Sequence, residues 1–305
     1  MIRGLRSVAL GVTHLGNAAA FFEKVWNLTP VATDAHAAWF RGTGPYHHIL
    51  ALHEAPHACI LRIVFDVGSK GEIDRLHAAV VAAKAGKVEA PGPVVAPGGG
   101  YGFGCHDPEG RCLAFVTGSA DHADLGAIPD RVGKISHANL NAGAIEDTFR
   151  FFTRTLGFQK TDQSRFRFLR CDNPDHHTIV LAPAKDATLN HIAFEMPDLD
   201  SVMRGAGRMR ENGYPIEWGV GRHGPGNNAF AYFAGPEEVP LEYTAEVLQV
   251  DDSYVPRGPD DWRYPPGRSD LWGVTNPRSA RLNRIQELFR FDPEGYRVTA
   301  NRGAG

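Results

Sequence analysis

Alternation of apolar and polar residues is sharpest in the second half of the chain. In Ile135-Ser136-His137-Ala138-Asn139-Leu140, His137 and Asn139 share one face. In Asn190-His191-Ile192-Ala193-Phe194-Glu195-Met196, the bulky Ile192, Phe194 and Met196 point one way while His191, Ala193 and Glu195 point the other. Around Glu242, Leu241 and Tyr243 alternate with Glu242 and Thr244. A period of two belongs to a strand, so three strands are predicted, each burying an apolar face and turning a polar face toward something that accepts charge. Helical spacing instead relates Leu15, Ala19, Phe22 and Trp26, and again Ile145, Phe149, Phe152 and Leu156. Further helices are expected over Gly71 to Lys84, Asp198 to Gly213 and Ser279 to Phe291.

The same pattern occurs twice. Sliding the first half onto the second sets Phe21-Phe22 on Phe151-Phe152 and Trp26-Asn27-Leu28 on Leu156-Gly157-Phe158. With small shifts, Tyr46-His47-His48-Ile49-Leu50 meets Asp175-His176-His177-Thr178-Ile179, Arg62-Ile63-Val64-Phe65 meets His191-Ile192-Ala193-Phe194, and Leu113-Ala114-Phe115 meets Leu241-Glu242-Tyr243. The chain therefore reads as two copies of one module. Apolar positions are kept in both copies, but His137, His191 and Glu242 become Ser7, Arg62 and Ala114 in the first, and Tyr232 becomes Gly104.

Two imidazoles and one carboxylate can hold a non-haem Fe(II) on one face and leave the opposite positions open. His137, His191 and Glu242 supply that set, with His177, His223 and Tyr232 in their company. His176 taken singly is an ordinary surface or core histidine. Glu195 lies two residues, about 7 Å, along a strand from a ligand position and is discounted, and Glu246 is discounted for its distance along the strand as well. The run Gly98-Gly99-Gly100-Tyr101-Gly102-Phe103-Gly104 precedes a strand rather than a helix, so it is no phosphate loop, and Gly224-Pro225-Gly226 reads as a turn.

The segments Gly224-Pro225-Gly226-Asn227-Asn228-Ala229-Phe230-Ala231-Tyr232-Phe233 and Leu241-Glu242-Tyr243-Thr244-Ala245-Glu246 resemble those of the two-domain type I extradiol ring-cleavage dioxygenases, in the vicinal oxygen chelate superfamily. The resemblance covers roughly residues 3 to 250 and implies an α+β fold, tandem βαβββ modules forming two similar open-barrel domains. It implies a non-metal-binding domain over 1–120, a linker over 121–130, a catalytic metal-binding domain over 131–250 and an extension over 251–305 that wraps that domain or builds an oligomer contact. By the same resemblance His137, His191 and Glu242 bind Fe(II), with Mn(II) the other candidate. His177 is the acid/base, while His223 and Tyr232 orient the substrate. The implied partners are a small aromatic diol and O2, in a homo-oligomer. Asn139, Phe168 and Trp218 are candidate substrate-pocket residues. One departure is the turn Gly235-Pro236-Glu237-Glu238, where the family has Asp-Pro-Asp/Glu-Gly; it is expected to change a turn and not the metal. Two alternatives remain open: a non-oxidative metal enzyme of glyoxalase or epimerase type, and a protein that only binds small aromatics.

Composition narrows the picture a little. With Lys+Arg 32 against Asp+Glu 35, the formal charge of −3 offers no case for nucleic acid or a membrane surface. No apolar run reaches the length of a spanning helix, and Met1-Ile2-Arg3-Gly4 leads into a strand rather than a signal peptide. Cys59, Cys105, Cys112 and Cys171 are scattered, which points to a reducing cytoplasm rather than a disulfide framework. The stretch from Asp251 to Pro277 carries Trp262, Tyr264 and Trp272, and such aromatics are expected to be covered as an ordered wrap.

Overall fold

The computed structural model describes residues 1–300. The first module runs β1 (Ile2–Val12), α1 (Leu15–Lys24), β2 (Thr29–Thr33), β3 (Ala37–Arg41), β4 (Leu50–Glu54), β5 (Cys59–Val67), α2 (Lys70–Ala83), β6 (Gly92–Pro93), β7 (Tyr101–His106) and β8 (Cys112–Thr117). The second runs β9 (Lys134–Ala142), α3 (Ile145–Arg150), β10 (Gln159–Gln163), β11 (Arg167–Arg170), β12 (Ile179–Pro183), β13 (Leu189–Glu195), α4 (Leu199–Glu211), β14 (Trp218–Arg222), β15 (Ala229–Ala234) and β16 (Pro240–Ala245). A last helix, α5, spans Ala280–Leu288.

Two eight-stranded mixed sheets result, ordered β2-β3-β4-β1-β5-β8-β7-β6 and β10-β11-β12-β9-β13-β16-β15-β14. Each is a pair of βαβββ units joined through antiparallel central strands, β1 with β5 and β9 with β13. Within a unit the first and last strands are parallel, and the helix makes the crossover that a parallel pair requires. The predicted helices fall within a few residues of α2, α4 and α5. The helix beginning at Ile145 differs: after Arg150 it widens into a π turn over Phe151–Thr155, which buries both Phe151 and Phe152.

The apolar faces meet in one continuous core. Val8, Leu10, Ile63, Phe65, Leu113 and Phe115 from the first module and Leu140, Ile192, Phe194, Leu241 and Tyr243 from the second all belong to it. Trp26, fully buried at the end of α1, stacks on Tyr243 of β16 with ring centroids 3.8 Å apart, so the first module's crossover helix packs on the second module's sheet.

Two related turns lock the modules together. Glu109, before β8, accepts the backbone N–H groups of Gly143 and Ala144 at the start of α3. Glu237, before β16, accepts those of Thr13 and His14 at the start of α1. The altered turn thus keeps the carboxylate cap at a helix N-terminus, with Glu237 and Glu238 in the left-handed region at φ 53° and 66°. Arg111 closes the first of these joints. Its buried guanidinium reaches Asp107 at 2.7 Å, Glu109 at 2.7 Å, the Asn141 carbonyl at 2.5 Å and Thr148 at 3.1 Å. Arg111→Leu leaves the buried Asp107 carboxylate without its cation and is expected to cost about 3–5 kcal/mol of stability; a urea midpoint equal to that of the parent would contradict this.

Beyond β16 the chain crosses both modules. α5 lies against β13, β15 and β16, and Phe291 and Thr299 then bridge to Ile60 and Val94 of the first module. Here Gly104 is a steric necessity, because a Cβ at that position would lie 1.5 Å from the carbonyl oxygen of Tyr296. Among the described residues no helix is long and apolar enough to cross a membrane.

Candidate metal centre

Strand register assembles the site. Ala193 of β13 pairs with His137 of β9 on one side and with Glu242 of β16 on the other. Glu242 pairs with Tyr232, and Tyr232 with Trp218. Directly paired residues share a face, so five strands present His137, Ala193, Glu242, Tyr232 and Trp218 in one lateral row. In the adjacent row His191 pairs with Asn139, Asn139 with Val180, Val180 with Phe168 and Phe168 with Asp162. Ala193 has only a methyl group between the ligand positions, which leaves the centre of the row open. The polar face therefore does not form an outer surface: it floors a cavity of about 580 Å³.

Three ligand atoms converge there. His137 Nε2 is 3.2 Å from His191 Nε2, and Glu242 Oε2 lies 2.9 Å from His191 Nε2 and 3.5 Å from His137 Nε2. Bonds of about 2.1 Å to one ion put right-angle ligands about 3.0 Å apart and tetrahedral ligands about 3.4 Å apart, so the observed separations fit the hole of a single divalent cation. Neither oxygen of the fully buried Glu242 receives a well-aligned hydrogen bond, a costly state for a carboxylate without a cation. Burial by itself pushes Glu242 upward, yet the neighbouring imidazoles hold it well below the usual carboxylate range. Burial lowers His191 to about 4 against the pull of Glu242. At neutral pH the site offers an anionic carboxylate and a neutral imidazole, the forms that ligation requires. Another trio of potential ligands, His57, Cys59 and Asp292, is partly open to solvent.

A surrounding layer fixes the rings. His191 Nδ1 donates to Asn190 Oδ1 at 2.8 Å, and the same oxygen accepts from Gln286 of α5 at 2.9 Å. Holding Nδ1 as the donor leaves the Nε2 lone pair aimed at the ligand cluster. On the opposite wall Asp162, His176 and His177 form a chain: Asp162 Oδ2 is 2.9 Å from His176 Nε2, and His176 Nδ1 is 3.0 Å from His177 Nδ1. Burial raises Asp162, but the hydrogen bond from His176 and the backbone N–H of Arg257 bring it below its ordinary value, so it is an acceptor only. His176 then donates through Nε2 and accepts through Nδ1. His177 must donate through Nδ1, which leaves its Nε2 with a free lone pair. His177 is itself held well below the ordinary histidine value by burial. At the third side, His223 Nε2 and the Tyr232 hydroxyl are 3.1 Å apart. Burial lowers His223 to about 3 and raises Tyr232 well above the usual phenol, so both stay neutral.

Every site residue singled out from the sequence meets around this cavity. His137, His191, Asn139, His177, His223, Tyr232, Phe168 and Trp218 line it, and Glu242 lies at its floor. Sequence reasoning passed over four contributors. His176, read as ordinary, is wholly buried in the chain to Asp162. Asp162 itself had one signal, since Ala32 holds its register position in the first copy. Gln286 lies on the buried face of the predicted last helix, and Arg278 just before it in the irregular part of the extension, and neither position was linked to the site by the sequence. The Arg278 guanidinium stands 4.2 Å over the Trp218 ring and lines the cavity with Arg165, Trp262 and Tyr264. The discounted carboxylates are engaged elsewhere, Glu195 with Lys134 at 3.3 Å and Glu246 with Arg222.

Buried neutral histidines carry a stability consequence. His191 and His53 are lowered to about 4, and His48 and His223 to about 3. Unfolded chains bind more protons than the folded one below about pH 6.5, so stability of the metal-free protein is expected to fall as pH drops from 6.5 toward 4. A thermal midpoint that stays level between pH 7 and 5 would count against these assignments.

A family model described as the Glyoxalase/Bleomycin resistance protein/Dioxygenase superfamily matches residues 134–243, the span that holds all three candidate ligands. The crystal structure of the Mn(II)-bound glyoxalase from Novosphingobium aromaticivorans is 36% identical to this chain and covers 92% of it and 93% of its own length, with a TM-score of 0.86. The chain belongs to the glyoxalase/bleomycin resistance protein/dioxygenase superfamily. Metapyrocatechase 2 of Cupriavidus necator is 30% identical over 128 residues, 41% of this chain and 38% of the relative, so the match spans well under half of that protein. An extradiol ring-cleaving dioxygenase from B. fuscum, 21% identical, shares the fold with a TM-score of 0.81 over 92% of this chain and 81% of its own. As in the vicinal oxygen chelate fold of these structures, two similar mixed-sheet modules stand side by side in this superfamily member.

Proposed function

We propose that the second module is the active site of a dioxygenase that opens the ring of a catechol with O2, at a divalent metal held by His137, His191 and Glu242. The observation that carries this reading is a single cavity joining that ligand trio to a neutral histidine with a free lone pair, His177, and to a neutral phenol, Tyr232. When bound, the ion supplies a Lewis acid that acidifies a diol hydroxyl, and open coordination positions for diol and O2. His177 Nε2 accepts a hydroxyl proton and later returns it, as a histidine held neutral by burial can do. Tyr232, fixed by His223, donates a hydrogen bond to a substrate oxygen. Phe168 and Trp218 flank the ring, and the extension over the cavity excludes water. The ring C–C bond breaks, both oxygen atoms enter the product, and a ring-opened acid with a second carbonyl group leaves.

Arg278 favours a catechol that carries an anionic group. Its guanidinium has no carboxylate within ion-pair distance among the described residues and is held in the cavity by Trp218. Arg278→Gln is expected to raise KM for carboxylated catechols roughly tenfold or more while leaving catechol itself little changed; equal effects on both would remove this role.

The relative described as a Mn(II)-bound glyoxalase supports a second reading, a non-oxidative reaction at the same ligands. Oxygen uptake separates the two. Protein loaded anaerobically with Fe(II) or Mn(II) is expected to consume O2 in equimolar amount with a catechol and to form a yellow ring-opened product. Bound metal without uptake across plain, bicyclic and carboxylated catechols would overturn the oxidative reading in favour of the other.

A further inference from the structure

The first module has kept a cavity and exchanged its chemistry. Ser7 pairs with Val64, Val64 with Ala114 and Ala114 with Gly104, repeating the row His137, Ala193, Glu242 and Tyr232. Arg62 pairs with Ala9 as His191 pairs with Asn139. The histidine pair is repeated too: the Nδ1 atoms of His47 and His48 are 3.2 Å apart with rings at 86°, against 3.0 Å and 86° for His176 and His177. The cavity above this row measures about 700 Å³. A hydroxyl, a guanidinium and a methyl group stand at its three ligand positions, so it holds no metal set, but a cationic side chain takes the strand position that His191 has in the second module.

Three buried hydrogen-bond donors in this cavity lack acceptors, on Arg62, Trp39 and Arg6. Arg62 Nη1 reaches the Arg297 carbonyl at 3.2 Å, while its Nε is buried with no partner. The indole Nε1 of Trp39, on the β3 wall and 6% exposed, is likewise buried without one. No carboxylate lies within 4.0 Å of Arg62 among the described residues. Arg6, also in the wall, has its charge offset by Asp66 at 3.4 Å and Asp121 at 3.6 Å, although its Nη2 makes no hydrogen bond. The buried Glu89 nearby is engaged by the backbone N–H groups of Val298 and Thr299, and Asp34 lies at the exposed mouth. Buried donors ordinarily find acceptors. The rest of the wall is largely small and apolar, including Ala9, Ala51, Val64 and Ala114. Unmatched donors, a cation and an apolar wall with an indole face select a ligand that is anionic at one end and flat and apolar at the other.

We propose that the first module binds a small aromatic carboxylate, with its carboxylate on the Arg62 guanidinium and its ring against Trp39. The site is separate from the metal centre and does not depend on which reaction that centre performs.

Benzoate is the probe, titrated calorimetrically into the full-length, metal-free protein, with benzamide as the uncharged analogue. Saturable benzoate binding is expected, with benzamide and the Arg62→Gln variant each roughly tenfold or more weaker. Arg62→Lys should recover part of the affinity, and Arg204→Gln, on the exposed face of α4 outside both cavities, should leave it unchanged. Should Arg62→Gln fail to fold, Val64→Trp, which fills the floor of the cavity, is expected to abolish binding. Absence of binding at millimolar benzoate, binding indifferent to both first-module variants, or binding lost with Arg204→Gln would each overturn the proposal.

Discussion

His191→Ala and Glu242→Ala are each expected to abolish tight metal binding and, with it, turnover. Removing a partner that merely orients a ligand costs roughly 10–100-fold in metal affinity, and removing one of three ligands costs more. The two variants should differ in stability. Glu242→Ala deletes a buried carboxylate to which no side chain or backbone group of the described residues donates a well-aligned hydrogen bond, so its apo form is expected to melt no lower than the parent. His191→Ala opens a void beside Asn190 and Gln286 and should melt lower. Anaerobic titration with Fe(II) or Mn(II), read as bound metal per chain, checks the first expectation. Stoichiometric metal in either variant would displace the trio from its assigned role.

Replacement of His177 should separate binding from chemistry. His177→Ala removes a base that stands beside the ligands, 4.4 Å ring to ring from His137, so metal content is expected to persist while kcat drops by about 10²–10⁴-fold. Asp162→Asn tests the chain behind it. An amide in that place can donate as well as accept, which no longer compels His176 to donate through Nε2 nor His177 to donate through Nδ1. Its kcat should fall in the same direction with KM little altered. A loss in KM alone would make Asp162 a packing residue, and a His177 variant that turns over at the parental rate would end the acid/base assignment.

Much of the centre was legible because strands advertise their faces. His137, His191 and Glu242 each stand next to fully buried residues of the opposite face, Ala138, Ile192 and Leu241, and the first copy, with Ser7, Arg62 and Ala114, separated the residues needed for the fold from those added to it. His176 was misjudged because its neighbours in the chain gave no hint that Asp162 and Tyr254 close around it. Arg278, Trp262 and Tyr264 were legible only as aromatic and charged residues that needed cover, since their place over the cavity depends on an irregular segment with no period to read.

The chain's own pattern determined the duplication of one module, the apolar face of the strands around the centre and the identity of the one module able to hold a metal. These are local properties: period, volume and charge at each position. Tertiary structure decided the rest. It brought Asp162 to His176, stacked Arg278 on Trp218, carried the tail from α5 across Gly104, and left Arg62 and Trp39 unmatched in one cavity. Those relations join residues far apart in the chain through strand register and side-chain packing, and neither is encoded in the spacing of any single segment.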